Sequence, residues 1–450
     1  MNRRPRVMKI QMAEKIGLCL SLLGLWPGTA AAADAVITWN ENAAKAATAA
    51  CIHISGNGLA ESRMYAMVHV AIHDALNAID RRSRPYAFDA TVNGPVSVDA
   101  AVAAAARDVL VSVIAKLPES PACVASGIVE ANALYAAALL PIPNGPAKTA
   151  GAAVGQAAAA AIIARRAGDR FETTTWLDFT YPQRTEPGEW RFTPDGPPLA
   201  FASNYGEVTP FVLRHSGQFW PGPPYPLRSK KYADDYNEIK LIGGDDMTTP
   251  SIRTPDQTEI GVFWIESSPL AWNRLARAVS VDRGFDLWAN ARLFGLLNMA
   301  MADGYIASWE VKYHYSFWRP ITAIREGDHD GNPATQGDSL WTPLQPTYPM
   351  PDHDSGHAVQ GGVAAEILKQ VFGTDDVSFT ACSTTVGPGG TCTDATPVIR
   401  SYSSFSQAAD ENAVSRIYIG IHFRKAVETG VHHGRRIAAY AVHQFMKPVH

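Results

Sequence analysis

Apolar residues recur at three- and four-residue steps along most of the chain. In the segment Leu59–Ile79, for example, Met64, Met67, Val68 and Ala71 follow this spacing. The period is that of one buried helix face. The same pattern predicts helices over Ala101–Lys116, Ala122–Leu140, Lys148–Ala167, Thr258–Ser280, Phe285–Tyr315, Ser355–Phe372 and Ser406–His443. Since no stretch shows the sustained alternation of a strand, we predict an all-α fold.

Two regions interrupt the helical pattern. Prolines and aromatic residues cluster over Phe171–Pro255, which predicts an irregular segment wrapped over the helices, and Gly373–Tyr402 is a Gly/Thr/Ser-rich insertion. We therefore expect two packed helical bundles: residues 34–255 form an N-terminal half with the Pro-rich connector, and residues 256–450 form a C-terminal half.

The first 33 residues have the pattern of a secretory signal peptide. Five basic residues precede an apolar run from Ile16 to Trp26, and Ala31-Ala32-Ala33 offers a cleavage site. The alternative is a membrane anchor, but eleven apolar residues are too few to span a bilayer. No later stretch has 18 uninterrupted apolar residues. We expect a secreted or periplasmic protein without a stable membrane span.

Four cysteines remain after this segment. Cys382 and Cys392 flank a flexible loop that closes easily, which favours a Cys382–Cys392 disulfide and, by elimination, a Cys51–Cys123 disulfide. Export to an oxidising compartment permits both bonds, and four free thiols are the alternative.

Charge and motifs exclude several function classes. The net charge of −4 argues against a nucleic-acid partner, which needs a basic face. The sequence has no dinucleotide loop, phosphate loop or paired CxxC zinc pattern. Loss of the first 33 residues removes a net charge of +4 and leaves −8, so an anionic ligand would need a local cluster of cations.

Three segments in the last third of the chain combine cations, histidines and a helix start. Lys312 and Arg319 are seven residues apart, which places them on nearly the same helix face, and Pro320 predicts the helix end at Arg319. Surrounding aromatic residues suggest burial, and buried like charges need an anion between them. Solvated surface is the alternative reading of this pair.

The second segment contains Ser355, Gly356 and His357. Ser355 is a natural N-cap for the helix that follows, and the free N–H groups there can bind an anion. His357 would then lie beside that anion as a proton donor or acceptor. An ordinary capped helix with an incidental histidine is the alternative.

The third segment contains Arg416 and His422. Because they are six residues apart, a regular helix would point them about 120° away from each other. The two residues can reach one site only if the Arg416 side chain extends back along the helix, or if the helix lies across the pocket.

The ordered pattern K-x6-R-P, S-G-H and S-R-x5-H resembles the signature shared by vanadium-dependent haloperoxidases and the type 2 phosphatidic acid phosphatase superfamily. Flanking segments, such as KYHYSFWRPITAIR from Lys312, look like secreted bacterial members related to the chloroperoxidases. The resemblance implies a chloroperoxidase-like helical fold and either of two activities. One is halide oxidation by hydrogen peroxide to hypohalous acid, and the other is acid phosphatase hydrolysis of phosphate monoesters through a phosphohistidine.

The resemblance also implies roles for individual residues. The oxygens of vanadate, or of phosphate in the same site, would be held by Lys312, Arg319, Ser355, Gly356 through its N–H, and Arg416. His422 would bind vanadium or attack phosphorus. His357 would be the acid/base.

The chain departs from the family pattern around these residues. Asp354 and His353 replace the usual Pro and Tyr, and Ala426 stands where an Asp often orients the last histidine. The candidates to replace that Asp are Asp303, Glu310, Glu411 and Glu428. The added acidic groups, Asp352 among them, could lower vanadate affinity. Met350 is a candidate for the wall of the halide path.

Two further hypotheses assign the chain to other functional classes. Asp352, His353 and His357 could bind zinc in a metallohydrolase, or the site could sequester an oxyanion without turnover. Other features are read as structural: His69, His73, Trp264 and Trp272 as packing residues, and His432 and His433 as solvated.

Overall fold

The computed structural model describes residues 34–385, 392 and 397–449, so the predicted signal peptide lies outside the described residues. Helices dominate, as predicted. Helices α1 to α14 are, in order, Ala35–Ala49, Ile52–Ser55, Gly58–Ile79, Val98–Ile114, Pro121–Leu139, Pro146–Arg165, Lys230–Ile242, Pro255–Phe263, Ser268–Asp282, Leu287–Tyr315, Pro320–Arg325, Gly356–Phe372, Phe405–Tyr418 and Arg424–Gln444.

The strands are short and antiparallel. β1 (Leu177–Asp178) pairs with β2 (Ala200–Phe201). β3 (Phe379–Cys382) pairs with β4 (Ile399–Tyr402), with Phe379 opposite Tyr402. The second pair lies in the predicted insertion.

Several predicted helices have different bounds in the structure. The segment predicted as one helix over Thr258–Ser280 is α8 and α9, because Pro269 stands in the first turn of a new helix. The segment over Ser406–His443 is likewise split into α13 and α14. The region predicted as irregular contains α7, where the Ser229 hydroxyl accepts from Tyr232 N and starts a helix with a buried apolar face.

Small residues allow α12 and α14 to pack closely. A Cβ added at Gly434 would overlap the carbonyl oxygen of Val359, and one added at Gly362 would overlap that of Val431. The N–H of Ser355 donates to the carbonyl of Ala426 at 3.0 Å. The start of α12 is therefore held directly against α14.

A buried carboxylate attaches the irregular segment to α10. Asp303 is fully buried on α10, and its carboxylate accepts from the N–H groups of Phe211, Val212 and Leu213 at 2.5, 2.7 and 2.7 Å. One side chain thus satisfies three consecutive donors of a segment that has little regular structure of its own.

Both predicted disulfides are confirmed. Cys51 is bonded to Cys123, and Cys382 is bonded to Cys392. The first joins the start of α2 to α5, and the second closes the insertion.

Residues Asp34–His450 form one compact unit. The division into two bundles near residue 255 stays a prediction. Two helices, α5 and α6, are long and apolar enough to cross a membrane by length and composition alone, and both pack against α4. The absence of a stable span likewise stays a prediction.

Asp303→Asn should lower the free energy of unfolding by about 2–4 kcal/mol, because an amide presents fewer acceptor sites to three buried N–H donors. Urea denaturation of the variant and of the wild type measures the difference. Asp376→Asn is the matched control, because Asp376 is exposed. Equal stability of the two variants would contradict the role given to Asp303.

Candidate active site

Lys312 and Arg319 reach the same cavity from two different elements. Lys312 lies in the last turn of α10, which ends when Ser316 takes a left-handed conformation with φ 44°. Arg319 is the N-cap residue of α11. The helix end at Tyr315 predicted from the apolar pattern is confirmed, and the end at Arg319 predicted from Pro320 was wrong, because Ser316 turns the chain and Pro320 starts α11. Both side chains are 1% exposed and line the cavity.

Backbone carbonyls hold both cations in place. Lys312 Nζ donates to the carbonyls of Pro351 and Asp352 at 3.0 and 3.1 Å. Arg319 donates from Nε to Met350 O at 2.7 Å and from Nη1 to Ile421 O at 2.8 Å. The two side chains thereby tie together the loop before α12 and the loop before α14.

The start of α12 carries the Ser-Gly-His motif. Ser355 is the N-cap residue, as predicted, but its side chain makes no capping bond. Its Oγ is buried and has no hydrogen-bond partner among the described residues. His357 lies in the first turn, and its ring is hydrogen-bonded to the backbone of Glu266, which leaves Nε2 buried and without a partner in the described structure.

Arg416 and His422 do not share a helix. Arg416 lies in the last turn of α13, and His422 lies in the loop between α13 and α14, after Gly420 with its φ of 82°. The 120° separation expected on a regular helix therefore does not arise. Arg416 Nη1 donates to Trp264 O at 2.8 Å, while its Nε and Nη2 have no partner among the described residues.

Asp352 orients His422. His422 Nδ1 lies 2.8 Å from Asp352 Oδ1, and Arg319 Nη1 donates to His422 Nε2 at 3.1 Å. Because arginine can only donate, Nε2 is the acceptor and the ring proton is on Nδ1, where it donates to the carboxylate. In this structure the lone pair of Nε2 is therefore the acceptor of the hydrogen bond from Arg319.

The prediction that one of four other acidic residues orients His422 was wrong. Asp303 accepts from the backbone of the irregular segment, Glu411 binds Arg400, and Glu428 lies near Arg424. Glu310 packs against Gly206. No local spacing in the sequence identifies Asp352, because 70 residues separate it from His422.

The other two departures from the family pattern are themselves buried and hydrogen-bonded. His353 Nε2 donates to Gly222 O at 2.9 Å. Asp354 accepts from Ser308 Oγ at 2.7 Å and contacts His433 Nδ1 at 2.8 Å. The prediction that His433 is solvated was therefore wrong, because it is 2% exposed.

The geometry does not support the hypothesis that a metallohydrolase zinc site is formed here. Asp352, His353 and His357 make their hydrogen bonds to three different partners. Within the part of the chain that the structure describes, no group of three or more His, Cys, Asp or Glu side chains could hold a metal ion.

Burial and mutual repulsion disfavour the positive charges at the site. Burial, with added repulsion from Arg319, lowers the pKa of Lys312 to about 7. Burial also lowers the pKa of Arg319 and that of Arg416 to about 10. Burial also holds the pKa of His357 and the pKa of His422 well below the usual value, and nearby cations lower both pKa values further. A bound anion would offset these effects.

No carboxylate neutralises the cations directly. Among the described residues, Lys312, Arg319 and Arg416 make no ion pair within 4.0 Å. The free donors of Ser355 and Arg416 match what a tetrahedral oxyanion accepts, so the residues present fit vanadate or phosphate.

A cavity of about 630 Å³ opens onto these groups. Met350, predicted for the halide path, lies in its wall. The lining includes five of the seven predicted site residues, namely Lys312, Arg319, Gly356, His357 and His422. Ser355 and Arg416 lie behind this wall, fully buried.

Comparisons with known proteins agree with this architecture. Residues 292–450 match a family model for the VCPO second helical-bundle domain. The vanadium chloroperoxidase of Curvularia inaequalis is 29% identical over an alignment of 296 residues, which covers 51% of this chain and 47% of that protein. The chain thus spans about half the length of this curated relative.

Two solved structures share the fold. A bacterial vanadium-dependent iodoperoxidase superimposes with a TM-score of 0.73 at 22% identity, covering 92% of this chain and 98% of that one. A bacterial vanadium-dependent chloroperoxidase gives a TM-score of 0.64 at 16% identity, covering 84% and 92% of the two chains.

Saturating orthovanadate should raise the unfolding temperature of the wild-type protein, because a ligand of the folded state adds about 2.7 kcal/mol at one hundred times its Kd. Arg416→Gln removes two free donors and should abolish most of this increase. Arg214→Gln, at an exposed position, should retain it. Thermal unfolding with and without orthovanadate measures the effect, and an equal increase in both variants would contradict the assignment of Arg416.

Asp352→Asn should weaken orthovanadate binding by about 10- to 100-fold, because loss of a partner that orients a ligating histidine has effects of this size. Equilibrium titration of each protein with orthovanadate gives the Kd. Asp376→Asn serves as the control at an exposed position. An unchanged Kd in Asp352→Asn would show that His422 does not depend on this carboxylate.

Proposed function

We propose that this chain, a relative of the vanadium haloperoxidases through its C-terminal helical domain, is a vanadate-dependent haloperoxidase that oxidises halide with hydrogen peroxide. One observation carries the proposal. Donors of Ser355 and Arg416 that have no partner among the described residues accompany the buried cations Lys312 and Arg319, and Arg319 donates to Nε2 of His422. The overall reaction is H₂O₂ + X⁻ + H⁺ → HOX + H₂O, in which peroxide is reduced and halide is oxidised.

The residues divide into those that hold the cofactor and one that moves a proton. Lys312, Arg319, Arg416, Ser355 and the N–H of Gly356 would hold the vanadate oxygens, and Nε2 of His422 would be the protein ligand to vanadium. Vanadate supplies a Lewis acid that makes hydrogen peroxide electrophilic toward halide.

His357 is assigned the proton transfer. Its ring is hydrogen-bonded to the backbone of Glu266, and burial lowers its pKa well below the usual value, so the ring is neutral at pH 7. The unpartnered Nε2 of the neutral ring therefore has a lone pair that can take a proton from incoming peroxide and return it to the leaving oxygen.

Phosphate ester hydrolysis is the alternative on the same residues. A phosphate group has the charge and shape that the donors require, and Nε2 of His422 could attack phosphorus. Since both activities use the same side chains, the assay must measure both reactions.

The proposal also includes export of the protein from the cytoplasm. Two disulfides are compatible with an oxidising compartment. We propose that the mature chain acts outside the cytoplasm, as a secreted or periplasmic enzyme.

His357→Ala should reduce halide oxidation by about 100- to 10,000-fold, because general acid–base catalysis contributes a factor of this size. The variant should still be stabilised by orthovanadate. Triiodide formation from iodide and peroxide, and bromination of a dye, measure turnover. His432→Ala is the control at an exposed position.

Hydrolysis of an aryl phosphate is measured in parallel, with and without vanadate. Hydrolysis that vanadate inhibits, with no halide turnover by the vanadate-bound protein, would replace the haloperoxidase assignment by the phosphatase.

A further inference from the structure

The proposed reaction consumes a proton in each turnover, and the histidines at the oxyanion site are poorly suited to supply it. Burial lowers the pKa of His357 and the pKa of His422 well below the usual value, and nearby cations lower both pKa values further. A neutral His357 can return a proton that it takes from peroxide, but it brings no additional proton to the site. The proton that balances the reaction therefore has to enter the cavity from another group.

A third histidine lines the same cavity. Among the described residues, the histidines of the cavity wall are His53, His357 and His422. The side chain of His53 is 20% exposed, so water can reach its ring. His53 is thus placed to exchange protons both with solvent and with the cavity.

His53 is paired with a fully buried carboxylate. Its Nε2 lies 2.8 Å from Glu61 Oε1, and the Glu61 side chain is 0% exposed. The other carboxylate oxygen of Glu61 accepts from the hydroxyl of Ser267. Because an ionised carboxylate can only accept, Nε2 of His53 carries a proton and donates it to Glu61.

The second ring nitrogen of His53 carries a proton as well. Nδ1 lies 2.8 Å from Thr48 Oγ1, and the Thr48 hydroxyl donates to Ala44 O at 2.9 Å. Because a hydroxyl has a single hydrogen, Oγ1 is the acceptor toward the ring and Nδ1 is the donor. Both ring nitrogens then donate, which is the hydrogen-bonding pattern of an imidazolium.

The charges around His53 agree with this protonation state. Burial disfavours the imidazolium, but the hydrogen bond and charge of Glu61, with added attraction from Glu266, outweigh burial and raise the pKa of His53. Glu266 is itself paired with Arg274, so Glu61 is the main counter-charge. His53 therefore keeps its proton to a higher pH than the two histidines at the oxyanion site.

Two adjacent residues connect this pair to the oxyanion site. Ser267 donates to Glu61, and the backbone of the preceding residue, Glu266, is hydrogen-bonded to the ring of His357. Both residues also line the cavity. The two ends of the cavity thus share one continuous polar wall, along which water can carry a proton.

We propose that His53, held as an imidazolium by Glu61, supplies the proton consumed in halide oxidation. This proposal rests on the proposed function and adds a proton donor to it. The balanced step is imidazolium + H₂O₂ + X⁻ → imidazole + HOX + H₂O. An N–H bond of His53 and the O–O bond break, an X–O bond forms, and the proton passes through cavity water to the oxygen that leaves as water. The neutral ring then takes a proton from solvent.

The protonation state is measured first, by NMR titration of the histidine rings in the protein without vanadate or peroxide. The resonance of His53 is assigned by its absence in His53→Gln. We expect the pKa of His53 to lie above the usual value of about 6.5, and to fall below that value in Glu61→Gln, where burial acts without the counter-charge. A pKa at or below the usual value in the wild type would overturn the proposal.

Turnover is measured next, as triiodide formation from iodide and peroxide by the vanadate-loaded protein. We expect His53→Gln to lower kcat by about tenfold or more at about pH 7, and to leave the Kd for orthovanadate within about twofold. The deficit should shrink at about pH 5, because hydronium from solution replaces the missing donor. His443→Gln, at an exposed position, is the matched control and should keep the wild-type kcat.

An added acid separates proton supply from a structural role of His53. Acetate buffer, raised at constant pH and ionic strength, should increase the kcat of His53→Gln by about threefold or more and leave that of the wild type unchanged. A loss of kcat that is equal at both pH values and that acetate does not restore would overturn the proposal. Glu61→Gln should show the same acetate-dependent loss, and it replaces His53→Gln if that variant fails to fold.

The two proposals fail in different ways. If the wild-type protein with vanadate bound oxidises no halide, the haloperoxidase assignment is wrong and the role of His53 fails with it. If the wild type oxidises halide and His53→Gln does so equally well, only the assignment of His53 is wrong.

Discussion

The site is organised around three buried cations that have no carboxylate partner within ion-pair distance in the described structure. Lys312, Arg319 and Arg416 are each 1% exposed or less. Burial lowers the pKa of each, and repulsion from Arg319 lowers that of Lys312 and that of Arg416 further, so a bound anion would stabilise the charged forms. The fold stabilises this arrangement with backbone carbonyls, which neutralise no charge and therefore leave the cations available to a ligand.

Close helix packing gives the cations a fixed frame. α12 and α14 approach each other at glycines, and the N–H of Ser355 is bonded to α14. The first turn of α12 therefore lies at a set distance from the loop that carries His422. Packing of α12 against α10 brings aromatic residues of α10 against Gly356, so the contacts of α12 with two helices define both the oxyanion site and the adjoining cavity wall.

Helix positions and the motif residues could be predicted from the sequence, because both depend on short-range spacing. The apolar pattern also predicted the end of α10 at Tyr315, whereas Pro320 alone predicted it at Arg319, because a left-handed conformation in a serine has no compositional signal. The partners Asp352–His422 and Asp354–His433 are 70 and 79 residues apart, and only the packed fold brings them together. The same holds for Arg416 and His422, because the loop after α13 removes the separation of about 120° that their six-residue spacing gives on a regular helix.

The acidic residues that depart from the family pattern do not compete with the ligand for the cations. Asp352 is hydrogen-bonded to His422, and Asp354 is hydrogen-bonded to His433 and Ser308. Both aspartates are 1% exposed or less. Both carboxylates are close enough to Lys312 to raise its pKa, while burial raises the pKa of Asp352 itself to about 7. Each carboxylate is also held by a histidine. Extra acidity in this loop is therefore compatible with an oxyanion site, and Asp352 supplies from this loop the orienting carboxylate that Ala426 lacks.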